Sequence, residues 1–260
     1  MKFVRILSYF IILSSVLVNN MSKAYVNINI FGTGLYLPYS MGVIGYIKNN
    51  IPIKDYSITG TSGGAWCTLL YTMENDLSNH DALWDFSIGP DINRIYFHND
   101  IRTFQNNVEK NLKLRYSNIK MDSEELNKVS IVASNVVSLF NIKNEKRSKF
   151  EDINDLIDYC LCSSYIPYIS GNSFSRKYKD KYYIDGEIKN EKTIENSILR
   201  NDVCNDINIH RFMWGRQFSK NSLMYLDKER SRKLFKDGWE DTEKNSDAVL
   251  LHIKNNEIIL

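Results

Sequence analysis

Apolar and polar residues alternate along Val26-Asn27-Ile28-Asn29-Ile30-Phe31, the two-residue period of a half-buried strand. The run ends in Gly32-Thr33-Gly34. Beyond it the spacing changes, and from Pro38 onward Met41, Ile44 and Ile47 share one face of a helix. A second unit of the same kind follows. Pro52 and Asp55 punctuate the entry to a short strand from Tyr56 to Thr59, and after Gly60-Thr61-Ser62-Gly63-Gly64 the residues Ala65, Trp66, Leu69, Leu70 and Met73 recur at helical spacing. The fold class expected of these units is α/β, with a central sheet flanked by helices.

Farther along, the segment from Asp76 to Lys128 supplies helices beside or over the ends of these strands. Its apolar residues, Leu83, Trp84 and Phe86, then Ile101, Phe104, Val108 and Leu112, are assigned first to the core, with the lining of an acyl pocket as the alternative. Lys181-Tyr182-Tyr183-Ile184 reads as a short aromatic strand that stops at Asp185-Gly186. Near the end, Ser231 to Phe235 followed by Gly238 predicts a surface helix closed by a glycine cap, and Leu250-Leu251-His252-Ile253 predicts a terminal strand.

Length and charge narrow the class. A chain of 260 residues with 43% hydrophobic content can bury a full core, and no repeat or linker divides it, so one domain is expected. The formal charge of +2 argues against nucleic acid as the main partner. Residues 1–24 differ from the rest: Lys2 and Arg5 precede the apolar run Ile6 to Val18, and Ser22-Lys23-Ala24 resembles a cleavage site. They predict a secretory signal or an N-terminal anchor, and hence a secreted or membrane-associated protein. Translation from Met21, giving a cytoplasmic protein, is the alternative. Cleavage would remove Lys2, Arg5 and Lys23 and turn the formal charge from +2 to −1. Cys67, Cys160, Cys162 and Cys204 lack the paired spacing of a zinc site, and Cys67 is expected to pack as a small apolar group.

The candidate chemistry lies in the turns. Gly60-Thr61-Ser62-Gly63-Gly64 places a serine between glycines after a strand and before a helix, the pattern of a nucleophile elbow. Its plainer reading is a Gly-Ser turn in which Ser62 caps a helix. Gly32-Thr33-Gly34 opens the other helix, where backbone N–H groups make an anion site suited to an oxyanion. The same loop fits the first half of a dinucleotide fingerprint, with Asp55 following 21 residues after Gly34, but Leu37 stands at the third glycine position. A serine needs a base. Of the four histidines, the C-terminal His252 could serve by order in a conventional triad, since acids precede it, whereas Asp185 is delivered at a strand end by an Asp-Gly turn.

Taken together, Ile30-Phe31-Gly32-Thr33-Gly34, Gly60-Thr61-Ser62-Gly63-Gly64 and Asp185-Gly186 resemble the patatin-like phospholipase family, in that family's order. Cys162-Ser163-Ser164-Tyr165-Ile166-Pro167 followed by Gly171 resembles its segment before the catalytic aspartate. The likeness runs from about Val26 to Ile188, within a domain expected over residues 26–200, with 201–260 as its C-terminal part or an extension. It is strongest toward the branch with the adiponutrin-like lipases.

The resemblance implies a three-layer patatin-like fold with a mostly parallel sheet, and a Ser-Asp dyad that hydrolyses fatty-acyl esters of phospholipids or glycerides. Ser62 would be the nucleophile and Asp185 its base. Gly32, Thr33 and Gly34 would form the oxyanion hole, Gly60 and Gly64 the elbow, and Gly186 the turn beside the base. It implies no metal or organic cofactor, and a membrane or lipid-droplet surface as partner. Thr33, Leu37 and Glu187 depart from the family pattern, and the Glu187 charge is expected to raise the pKa of Asp185 or to exclude an anionic substrate. They leave two alternatives, a catalytically silent lipid- or partner-binding protein and a triad esterase using His252.

Overall fold

Strand β1 (Tyr25–Ile30) buries Val26, Ile28 and Ile30 and turns its asparagines sideways. Asn27 donates to Asp206 at 2.9 Å and Asn29 to Asn208 at 3.1 Å, while Ser57 donates to Asn27 at 2.7 Å. The alternation therefore has two physical jobs: apolar positions fill the core, each contributing about 1.5 to 3 kcal/mol of transfer free energy, and polar positions bond to neighbouring strands. Replacing Ile28 by Asp would bury an unpaired charge and break the sheet at its centre.

In the computed structural model, residues 25–119, 123–138, 141–189, 206–218 and 225–257 are described. The segment read as a signal or anchor, residues 1–24, lies outside them, as does Cys204. A 3-10 turn, Gly34–Tyr36, leads from β1 to helix α1 (Leu37–Asn50), and β2 (Asp55–Thr61) leads to α2 (Gly63–Met73). Then come α3 (His80–Ser87), β3 (Arg94–Tyr96), α4 (Phe97–Tyr116) and α5 (Ser123–Asn127). The hairpin of β4 (Val129–Ser138) and β5 (Asn141–Arg147) precedes α6 (Ile153–Ser163), β6 (Arg176–Tyr178) and β7 (Lys181–Ile184). The chain ends with β8 (Asp206–Ile209), β9 (Tyr225–Asp227), α7 (Lys228–Lys244) and α8 (Ser246–Glu257). Side-chain caps fix several helix starts: Asn79, Asp152 and Asp227 accept from the N–H of Ala82, Asp155 and Arg230.

The sheet is mixed, seven-stranded and mostly parallel at its centre, where β8, β1, β2 and β4 run side by side. Antiparallel β5, β7 and β6 extend it beyond β4. The fold is α/β, as the two strand-turn-helix units predict, with helices flanking the sheet. The C-terminal part is woven into it, since β8 pairs with β1 and α7 lies along α1. Among the described residues no helix is long and apolar enough to cross a membrane.

Two C-terminal expectations are corrected. Helix α7 does not stop at Gly238 but continues to Lys244, and Ser231, Leu234 and Phe235 are buried. Gly238 is there because a Cβ would collide with the Tyr39 carbonyl of α1, so the glycine permits a close helix crossing. His252 belongs to helix α8, not to a terminal strand. A four-residue apolar run carries no period long enough to separate the two.

Candidate active site

Two parallel neighbours, β1 and β2, deliver the glycine loop and the serine elbow to the same edge of the sheet. At the end of β2, Ser62 adopts φ 54° and ψ −122°, a left-handed conformation that a serine tolerates only under constraint. The constraints are visible. The Ser62 N–H donates to the Ser163 hydroxyl at 2.8 Å, and Ser163 in turn donates to the Val132 carbonyl at 2.6 Å. The flanking glycines admit close neighbours: a Cβ on Gly64 would strike the Ile30 carbonyl, and one on Gly60 would strike the Gly64 carbonyl and Thr68. The helix-capping reading of Ser62 is not met, for its side chain caps nothing.

The hydroxyl is aimed elsewhere. Ser62 Oγ donates to Asp185 Oδ2 at 2.6 Å, across 123 residues of sequence. Asp185 follows β7, whose pairing with β4 carries it over the end of β2. Its own N–H donates to the Tyr165 carbonyl at 2.8 Å, which ties the Tyr165-Ile166-Pro167 segment to Asp185. Gly186 lets the chain turn there, because a Cβ would meet the Val132 carbonyl at 2.5 Å and Thr61 at 2.6 Å.

Ser62 and Asp185 are 8% and 7% exposed, so the pair is nearly dry. Burial pushes the Asp185 carboxyl up to about 6, against the opposing hydrogen bonds from Ser62 and from the Glu187 N–H. A carboxylate in this range would serve as a base near neutral pH better than an ordinary aspartate. The expectation that the Glu187 charge raises this pKa is not met. Glu187 reaches Asp185 through its backbone N–H, at 2.8 Å, and its carboxylate accepts from the Gly32 N–H at 2.8 Å.

The glycine loop faces the elbow. A Cβ on Gly63 would meet Thr33 Oγ1 at 2.6 Å, Thr33 N at 3.4 Å and Gly34 N at 3.6 Å, so these two backbone nitrogens lie beside the residue after the serine. Among the described residues, neither N–H donates to a protein acceptor. Thr33 keeps φ at −121° and pays no left-handed strain, while Gly34 takes the positive φ of 52°. With the first N–H groups of α2, they form a donor set of the kind that holds an oxyanion. Leu37, at the position a dinucleotide fold keeps for glycine, begins α1 and lines the site.

An apolar chamber opens at Ser62 and Asp185, walled by Leu35, Ile95, Ile101 and Ile166. Leu37, Trp66, Phe104 and Leu226 separate it from a second chamber lined by Met41, Leu83, Val108 and Leu112. Phe104, Val108 and Leu112 thus serve both assignments, as core and as lining, whereas Phe86 lines neither chamber.

Sequence reasoning missed two features. Ser163, the partner of the strained N–H, sits in the small-residue segment already singled out, and its place at the end of α6 was the available signal. His80 Nδ1 donates to Asp81 at 2.9 Å and its Nε2 accepts from the Ser231 hydroxyl at 2.7 Å, in the order of a triad. Ser231, however, lies inside α7, and its backbone lacks the positive φ of Ser62. Among the described residues no three of His, Cys, Asp and Glu gather as metal ligands, and Cys67, Cys160 and Cys162 are free and buried. No protein-family model and no curated protein matches this chain.

Proposed function

We propose that this chain is a patatin-like lipid acyl hydrolase, cleaving fatty-acyl esters of phospholipids or glycerides with Ser62 and Asp185. The observation that carries the reading is the 2.6 Å bond from Ser62 Oγ to a buried carboxylate, made at a strained elbow beside the glycine loop. Ser62 Oγ attacks the ester carbonyl carbon as its proton passes to Asp185 Oδ2. The carbonyl oxygen becomes an oxyanion held by the Thr33 and Gly34 N–H groups. Collapse expels the alcohol, which takes the proton back from Asp185, and leaves an acyl-serine. Water then attacks this ester as its proton passes to Asp185, and collapse releases the fatty acid while Ser62 Oγ leaves as the hydroxyl by taking that proton back. Each step needs only groups that the fold already brings together.

The apolar chambers support a long acyl chain as the substrate. A lipid surface as partner is supported by two exposed apolar side chains close in sequence to the site: Tyr168, 71% exposed, two residues beyond Ile166, and Ile188, 49% exposed, three beyond Asp185. Turnover of phospholipid vesicles and of p-nitrophenyl esters tests the proposal. Ser62→Ala should abolish it, Asp185→Asn should lower it by about 10²- to 10⁴-fold and His252→Ala should leave it intact. Equal turnover by all three variants rejects the dyad, and no turnover by the folded wild type rejects the hydrolase and favours the silent protein.

A further inference from the structure

Glu187 touches both halves of the site. The 3-10 turn Gly186–Lys189 folds the chain back immediately after Asp185, so that the Glu187 N–H bonds to Asp185 Oδ1 and its side chain lies on Gly32. A Cβ on Gly32 would collide with the Glu187 Cγ, and its contact with Glu187 Cδ would be 2.9 Å. The glycine therefore accommodates this side chain, and its N–H donates to Glu187 Oε1 at 2.8 Å. The loop is otherwise held at its ends, by the Phe31 N–H on the Ile209 carbonyl and the Tyr36 N–H on the Thr33 carbonyl, both at 3.0 Å. Among the described residues, Glu187 supplies the side-chain anchor between them.

A carboxylate on an oxyanion loop would be a plug if it took the N–H groups that face the serine. It takes their neighbour and leaves Thr33 and Gly34 to the elbow. We propose that Glu187 is a positioning residue, a strut that fixes the oxyanion loop against the aspartate end of the dyad. The inference rests on the Ser-Asp reading above. Oxyanion donors stabilise a transition state only when they are already oriented, because ordering them at each turnover would raise the barrier. The working part of Glu187 in this role is its acceptor oxygen on the Gly32 N–H, not its charge.

Glu187→Gln keeps an acceptor on the Gly32 N–H, so its kcat should stay within about threefold of the wild type. Glu187→Ala should lose about 10- to 100-fold in kcat, with KM changed less than about threefold. Gly32→Ala should expel the side chain and resemble Glu187→Ala, whereas adding it to Glu187→Ala should cost little more, a non-additivity that marks one shared contact. Amide exchange over Phe31 to Leu37 gives a readout without turnover, faster in Glu187→Ala and unchanged in Glu187→Gln. A Glu187→Ala enzyme at or above wild-type kcat, a Glu187→Gln enzyme as impaired as Glu187→Ala, or equal exchange in all three overturns the strut. If the folded wild type turns over no ester, the hydrolase reading falls and the exchange comparison alone decides whether the strut stands.

Discussion

Asp185→Asn should make this protein more stable at neutral pH while removing its base. Asparagine matches the carboxylate in shape, can accept from the Glu187 N–H and can donate to Ser62, so the local bonds are kept. What changes is the charge. Burial lifts the carboxyl from its ordinary 3.8 to about 6, which corresponds to about 3 kcal/mol in favour of the neutral form. Because the folded value is raised, the protonated acid stabilises the folded chain below about pH 4, and that contribution is lost as pH rises through about 6.

The variant escapes this loss. Near pH 8 it should gain about 3 kcal/mol, or about 6 to 12 °C in Tm for a domain of this size. Near pH 4.5 the gain should shrink to about 1 kcal/mol. Urea unfolding at both pH values measures it, and turnover should fall about 10²- to 10⁴-fold. A variant no more stable than the wild type near pH 8, or a gain that ignores pH, refutes the reasoning that a dry pocket tunes this base.

Two further outcomes follow from the geometry. Ser163→Ala removes the acceptor of the strained Ser62 N–H, so kcat should fall about tenfold or more and stability by about 1 to 3 kcal/mol, read by kinetics and urea titration. Val108→Phe narrows the second chamber, so hydrolysis of long-chain p-nitrophenyl esters should drop about tenfold relative to the butyrate ester; a parallel loss on both would mean that no acyl chain reaches past Phe104.

The parts legible in the sequence were those written in short stretches of chain. The Val26 to Phe31 alternation, the glycines around Ser62 and the Asp185-Gly186 stop each occupy a few residues whose backbone demands are local, and the structure brings them to one edge of the sheet. Features made by distant partners were not legible. The pairing of β3 with β9, the place of β8 beside β1, and the packing of α7 on α1 depend on which segments meet, which no local period records. Gly238 shows the difference well. A glycine after an apolar run signals a helix end, but here the Tyr39 carbonyl requires it within the helix. Glu187 was read as a charge against the base for the same reason: its partner, Gly32, lies 155 residues away.

The claim that Ser62 is an activated nucleophile is tested most directly by a fluorophosphonate that phosphonylates active serines. Intact mass and peptide mapping of the treated protein should find a single adduct on the peptide containing Ser62, absent from Ser62→Ala and strongly reduced in Asp185→Asn. A folded wild-type protein that acquires no adduct, or one that carries it on Ser231, would contradict the account.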